Sequence, residues 1–194
     1  MAGRLVVGLG NPGEEYARTR HNLGAMVVDL LAEKWGAAFQ RSGLLAAHVA
    51  SASPDGLPAV RLVKPTPYMN VTGPVYARAL KVFETPAAEA LIVVDDFMLD
   101  FGRLRLRPDG SSGGHNGLKS VEEALGSRAY PRLRVGIGPV PGRQDPADFV
   151  LGRFNAEQRK ELPHVVEDAA AAVVTWLRDG MDRAMERHNR KDGD

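Results

Sequence analysis

The chain has 194 residues, a formal net charge of +1 from 25 basic and 24 acidic side chains, and no cysteine. That length fits a single domain burying about 70% of its unfolded surface, and zero cysteines exclude disulfide staples, thiol nucleophiles and cysteine-based metal sites. The near-neutral balance excludes bulk basicity as a route to nucleic acid, so such affinity has to come from a local patch.

Leu5-Val6-Val7-Gly8-Leu9 is a short β-rich run ending in glycine, asparagine and proline, which predicts a buried strand. Asn22 is placed to cap a helix carrying Leu23, Met26, Val27, Leu30 and Leu31, with Gly36 as its stop. Residues 44–50 and 59–63 flank Pro54-Asp55-Gly56, a turn sequence, and predict an antiparallel hairpin. A helix is expected over 73–83. Leu91-Ile92-Val93-Val94 then reads as a buried strand closed by Asp95 and Asp96. Arg103-Leu104-Arg105-Leu106-Arg107 alternates strictly and predicts a strand with one basic face. A helix over 116–125 and a strand over 133–137 follow, then two closing helices over 156–162 and 163–187. Residues 190–194 are expected to form a frayed tail. The interleaving predicts a single α/β domain, residues 1–189, with a central mixed, partly parallel sheet flanked by helices. The sequence has no run of about 18 apolar residues and no signal-peptide pattern, so a cytoplasmic protein is expected.

Two glycine patterns invite specific chemistry. Gly8-Leu9-Gly10-Asn11-Pro12-Gly13 follows a strand and matches a dinucleotide fingerprint, but Pro12 and the polar residues 14–20 delay the helix. Gly110-Ser111-Ser112-Gly113-Gly114 fits the nucleophile elbow of serine esterases, with Ser112 as nucleophile and only His164 or His188 downstream as base. The strand before it is basic rather than buried. No two of the five histidines have metal-ligand spacing. His21 and His115 stand out because each is followed by asparagine and precedes a helix, where the positive end of the dipole favours a neutral imidazole. Asp95, at the end of a buried strand, is the natural carboxylate partner. From Arg103 to Arg134 the chain holds seven basic and three acidic residues, a formal +4 beside a glycine turn, which points to a phosphate-bearing partner.

Taken together, these segments carry a more specific signal. Val7-Gly8-Leu9-Gly10-Asn11-Pro12-Gly13, Tyr16 and Thr19-Arg20-His21-Asn22-Leu23-Gly24 closely resemble the opening of bacterial-type peptidyl-tRNA hydrolases. So do Lys64-Pro65-Thr66-Pro67-Tyr68-Met69-Asn70, Asp95-Asp96-Phe97, Gly113-Gly114-His115-Asn116-Gly117-Leu118-Lys119 and Arg132-Leu133-Arg134-Val135-Gly136-Ile137-Gly138. The resemblance implies hydrolysis of the ester between a nascent peptide and tRNA, with His21 as general base, Asp95 orienting it and Asn11 positioning water or the carbonyl. Asn70 and Asn116 would bond the peptide main chain, Tyr16, Tyr68 and Met69 would line the groove, and His115 would support the site. Arg107 and Arg134 match the basic positions that clamp the tRNA 5′ phosphate. The resemblance implies no metal and no organic cofactor, and a monomer acting on the acceptor stem and 3′ end of peptidyl-tRNA. A non-catalytic RNA-binding relative is the alternative of another class, because this fold also occurs in plant organelle splicing cofactors. Departures fall at Met98-Leu99-Asp100-Phe101, where the family usually continues toward a Leu-Pro element, and at Pro139-Val140-Pro141-Gly142. Arginine also stands at 107 and 143 where lysine is common.

Overall fold

A computed structural model describes residues 3–189; the tail expected at 190–194 lies outside the described residues. The strands are β1 (Arg4–Gly8), β2 (Gln40–Arg41), β3 (Ala47–Ala52), β4 (Val60–Pro65), β5 (Ala90–Asp100), β6 (Leu104–Arg107) and β7 (Arg132–Gly138). The helices are α1 (Leu23–Lys34), α2 (Gly73–Val82), α3 (Asn116–Leu125), α4 (Pro146–Leu151) and α5 (Ala156–His188), with single 3-10 turns at Arg20–Asn22, Met69–Val71 and Ala87–Glu89. One seven-stranded sheet runs in the order β2-β3-β4-β1-β5-β7-β6. β1 is parallel to β4 and β5, β5 is parallel to β7, and the two flanks are antiparallel. This is the mixed, partly parallel α/β domain expected.

Alternation along each strand divides the core. Val6, Leu62, Val93, Leu133 and Val135 face α1 and α5, while Leu5, Val7, Val63, Ile92 and Val94 face α2 and α3. Helices on both faces explain why β1 from Leu5 to Val7 and β5 from Ala90 to Val94 read as unbroken apolar runs.

The structure corrects several sequence expectations. Asp95 does not close its strand: β5 continues to Asp100 because β7 goes on pairing with it after β1 has ended at Gly8, opposite Val93. Asn22 makes no capping hydrogen bond to α1; its carboxamide is engaged elsewhere, as described below. The two closing helices are one helix running through Pro163, and the break comes instead at Gly180, whose φ of 82° is open to glycine. Pro163 costs a hydrogen bond, but Val165, Val166 and Ala169 just beyond it are anchored in the core. After Gly180 the chain turns back, bringing His188 Nε2 within 2.8 Å of Thr175 Oγ1. Asn189 then accepts from the Leu106 N–H (2.7 Å) and donates to its carbonyl (3.0 Å), covering part of the β6 edge. Helix α4 and the two-residue β2 had no clear periodicity. In hindsight, Asp145-Pro146 was the signal for α4, since Asp145 accepts from Ala147 N at 2.8 Å and Pro146 opens the helix. Among the described residues, no helix is long and apolar enough to cross a membrane.

Candidate functional site

The chain leaves β1 through α1 toward β4, and returns through α2 to β5 on the other side of β1. The crevice beyond the carboxyl ends of β1 and β5 is therefore the point where connections diverge, and open α/β sheets bind ligands there. Gly24 sets how closely α1 approaches it. A Cβ at Gly24 would lie 2.1 Å from the Val93 carbonyl oxygen and 2.9 Å from Leu9 N. The first turn of α1 thus rests directly on the strands, and the 3-10 turn before it places His21 over β5.

His21 Nδ1 lies 2.9 Å from Asp95 Oδ1, and His115 Nε2 lies 3.1 Å from the same oxygen. The tautomers follow from the surroundings. His115 caps α3, its Nδ1 accepting from the backbone N–H groups of Gly117 (3.1 Å) and Leu118 (3.3 Å). An accepting Nδ1 requires the proton on Nε2, so His115 donates to Asp95. His21 turns Nδ1 to the same carboxylate, so Nε2 is its ring nitrogen on the cleft side. All three residues are buried, and the two rings stand 4.9 Å apart. Burial pushes the His115 pKa down, with His21 and Arg134 adding to it, and these outweigh the raising influence of Asp95. Burial alone would raise Asp95, yet the two histidines more than offset it and hold the carboxyl well below its usual range. His115 is thereby kept neutral and Asp95 ionised.

The ligand atoms of His21, Asp95 and His115 lie within 4.8 Å of one another, close enough to consider a metal. The hydrogen bonds argue otherwise, because the Nδ1 lone pair of His115 is taken by α3 and its Nε2 carries a proton. Asp95 Oδ2 is buried without a hydrogen-bond partner among the described residues.

Asn11 is fixed from two sides. Its backbone N–H donates to Asn22 Oδ1 (2.9 Å), and Asn22 Nδ2 donates to its carbonyl (2.9 Å). Its side-chain Oδ1 accepts from Met69 N at 2.8 Å, which sets the amide orientation and turns Nδ2 into a donor for other partners. Asn22 is therefore a clamp on the Asn11 loop, a role that helix-start rules do not suggest.

A cavity of about 270 Å³ opens beside His21, walled by Asp95, His115, Asn116, Phe97 and the α4 residues Pro146 and Val150. Asn116 is exposed at the start of α3, and Asn70 is exposed on the adjoining 3-10 turn. Tyr16 and Tyr68 meet edge to face at 6.2 Å. Met69 differs from the groove-lining expectation: it is buried in the core beneath the turn, beside Leu9 and Gly117.

A second cavity, about 490 Å³, holds Arg105, Arg107, Arg132 and Arg134 together with Asp96 and Met98. Arg105 lies directly across the strand pair from Arg134, and Arg107 across from Arg132. Like charges opposite each other on antiparallel strands repel, and this arrangement concentrates positive charge beside Asp96. The four arginines divide by burial. Arg132 is buried and bonds the Tyr130, Gly110 and Arg128 carbonyls; Arg134 pairs with Asp96 at 3.1 Å and donates to the Ser111 carbonyl at 2.7 Å. Arg105 and Arg107 are exposed. Arg105 and Arg132 belong to the basic stretch expected to meet a phosphate; the roles of Arg132 and Asp96 as anchors carry no local signal in the sequence.

The two glycine patterns lose their special chemistry. No helix starts within the first pattern; the chain makes turns there, and Gly13 has φ 104°. At the second, His115 is committed to Asp95 and α3, His188 lies against Thr175, and His164 is exposed on α5, so none is engaged with Ser112 as a base.

Comparison with known proteins agrees with this geometry. Residues 5–194 match a family model described as peptidyl-tRNA hydrolase. The chain is 49% identical over 183 residues to the peptidyl-tRNA hydrolase of Nocardia farcinica, covering 94% of each. It is 48% identical over 188 residues to that of Mycobacterium ulcerans, covering 94% of this chain and 95% of the relative. A crystal structure of peptidyl-tRNA hydrolase from Acinetobacter baumannii superposes with a TM-score of 0.89 at 31% identity, over 97% of this chain and 95% of that one.

Proposed function

Since this chain belongs to the peptidyl-tRNA hydrolase family, and is on that ground a hydrolase acting on peptidyl-tRNA, we propose that His21 is its general base and Asp95 the group that orients it. A water held by His21 Nε2 gives up its proton and attacks the ester carbonyl carbon. Asn11 Nδ2 donates to the carbonyl oxygen as charge develops on it. The tetrahedral intermediate collapses, the terminal ribose oxygen leaves with the proton from His21, and peptide carboxylate and free tRNA separate. The observation that carries this reading is the 2.9 Å contact from His21 Nδ1 to the buried Asp95 carboxylate, which fixes the ring and leaves Nε2 as the nitrogen facing the cleft.

The same reading assigns Asn70 and Asn116 to the peptide main chain, because carboxamides donate and accept at once and so suit any sequence. Half-buried Tyr16 and exposed Tyr68, meeting edge to face, form a wall of the groove. Arg107 and Arg134 take the tRNA 5′ phosphate, supported by the opposed arginine pairs that leave cationic charge unmatched. The chemistry uses no metal or organic cofactor. The protein works as a cytoplasmic monomer whose single domain spans residues 1–189.

The test is release of labelled N-acetyl-aminoacyl groups from tRNA by wild type, His21→Ala and Ser112→Ala, with and without EDTA, and with plain aminoacyl-tRNA as control. EDTA-insensitive cleavage of the blocked substrate, lost in His21→Ala and kept in Ser112→Ala, is expected. Retained tRNA binding by an inert wild type would instead favour an RNA-binding protein that does not turn over.

A further inference from the structure

Arg20 is buried at 8% exposure, in the same turn as His21 and Asn22, and has no role in the mechanism above. The partners of this guanidinium are uncharged. Nη1 donates to the Phe149 carbonyl (3.1 Å) and Nη2 to Gln158 Oε1 (3.3 Å), while the group stacks 4.2 Å from the Phe149 ring centre and 5.6 Å from that of Phe154. Nε is buried without a hydrogen-bond partner among the described residues. Burying a cation among neutral groups is unfavourable, so what Arg20 gives the fold has to come from the contacts its fork makes.

The contacts show what it joins. Phe149 belongs to α4, whose Pro146 and Val150 wall the cavity beside His21. Gln158 belongs to the capping box at the start of α5. The Arg20 backbone N–H also donates to the Gly152 carbonyl at 3.0 Å, and Thr19 bridges to Arg153. α4 is only six residues long and too short to hold itself in place. Its carbonyl end meets a cation, the favourable sign for that end of a helix.

We propose that Arg20 is a positioning residue: its two-pronged guanidinium fastens α4 and the start of α5 to the turn carrying His21, and so sets the width of the cleft that receives the ester. This rests on the reading that peptidyl-tRNA occupies the cavity beside His21. The fork is the essential feature, because a lysine ammonium reaches one acceptor as a point charge and cannot span Phe149 O and Gln158 Oε1 together.

The test compares wild type with Arg20→Met, Arg20→Lys and Gly152→Ala, using N-acetyl-aminoacyl-tRNA and amide exchange over residues 146–152. Gly152→Ala displaces the fork without deleting it, since its Cβ would lie 2.9 Å from Arg20 Nη1 on an ordinary extended backbone (φ −77°). It also keeps the proposal testable if Arg20→Met does not fold. Expected for both Arg20 variants are a KM raised about tenfold, a kcat within about threefold, an unmoved pH profile and faster exchange in α4. Gly152→Ala should show the same split more weakly. Unchanged KM with rates tracking only the folded fraction, full rescue by lysine, or unchanged α4 exchange would each overturn the proposal. An inert wild type or a fully active His21→Ala would instead overturn the underlying reading, while the exchange result would still report on the fastening.

Discussion

In the cavity beside His21 the charged and imidazole groups are buried and bonded to one another, whereas two strands away, beyond β7, Arg105 and Arg107 of β6 are exposed and make no ion pair among the described residues. The first region is organised before substrate arrives: His115 is locked by α3, Asp95 by two imidazoles and His21 by Asp95. In the second, β6 and β7 oppose arginine to arginine, and of these four arginines Arg134 alone pairs with a carboxylate among the described residues. Preorganised dipoles lower barriers, while unmatched surface charge raises affinity and association rate. The difference teaches that turnover and tRNA affinity are separable here, and substitutions should separate them.

The largest expected effect is at the buried centre. His21→Ala should lower kcat by about 10³-fold, within the range for loss of a general base, while tRNA affinity by filter binding stays within about twofold. A comparable loss of affinity would merge the two regions and break the comparison.

At the basic cavity the expectation inverts. Arg107→Ala should raise KM about tenfold with kcat nearly unchanged, and should lower the slope of log affinity against log salt by about 0.7–0.9. Its melting temperature should not move, because the side chain is exposed. Arg134→Ala should show the same kinetic signature and also lose about 3 kcal/mol of stability, since it leaves Asp96 buried and unpaired. Equal melting temperatures for the two variants would contradict the division of the cluster into one free and one anchored arginine.

Smaller effects should appear in the pH dependence of stability. The His115 pKa is lowered in the folded state, so the unfolded chain takes up a proton that the fold resists. Stability is therefore full above the ordinary histidine value of about 6.5 and falls as pH drops through it. Asp95, whose pKa is also lowered, contributes stability above about 3.9 that is lost on further acidification. A melting series from pH 7.5 to 5 should slope downward for wild type, and flatten in His115→Gln. An unchanged slope would place the proton uptake elsewhere.

The sequence made the His21, Asp95 and His115 cluster more legible than its surroundings. His21 and His115 stood out because both precede helices, and Asp95 because it follows an apolar run; all three meet in the structure. The hairpin at β3 and β4 and the amphipathic β6 were equally plain, since turn chemistry and period-two alternation are local properties. Arg20, Asp96 and Arg132 were not legible as anchors. Each depends on a carbonyl or carboxylate brought near by another element, such as Phe149 for Arg20 across 129 positions. Asn22 misled for the same reason: as a residue before a helix it reads as a cap, but the fold offers it the Asn11 backbone instead. The end of β5 and the continuity of α5 through Pro163 were also settled by neighbours rather than by the residues themselves.

By itself, then, the sequence determined the kinds of element, the polarity of each strand face and the chemistry available, because these follow from side-chain period and type. Only the tertiary structure decided which lone pairs are free, which arginines are spent on the fold and which wall the cleft has. Those depend on hydrogen-bond partners distant in the chain, and burial makes a buried polar group take whichever partner the packing supplies.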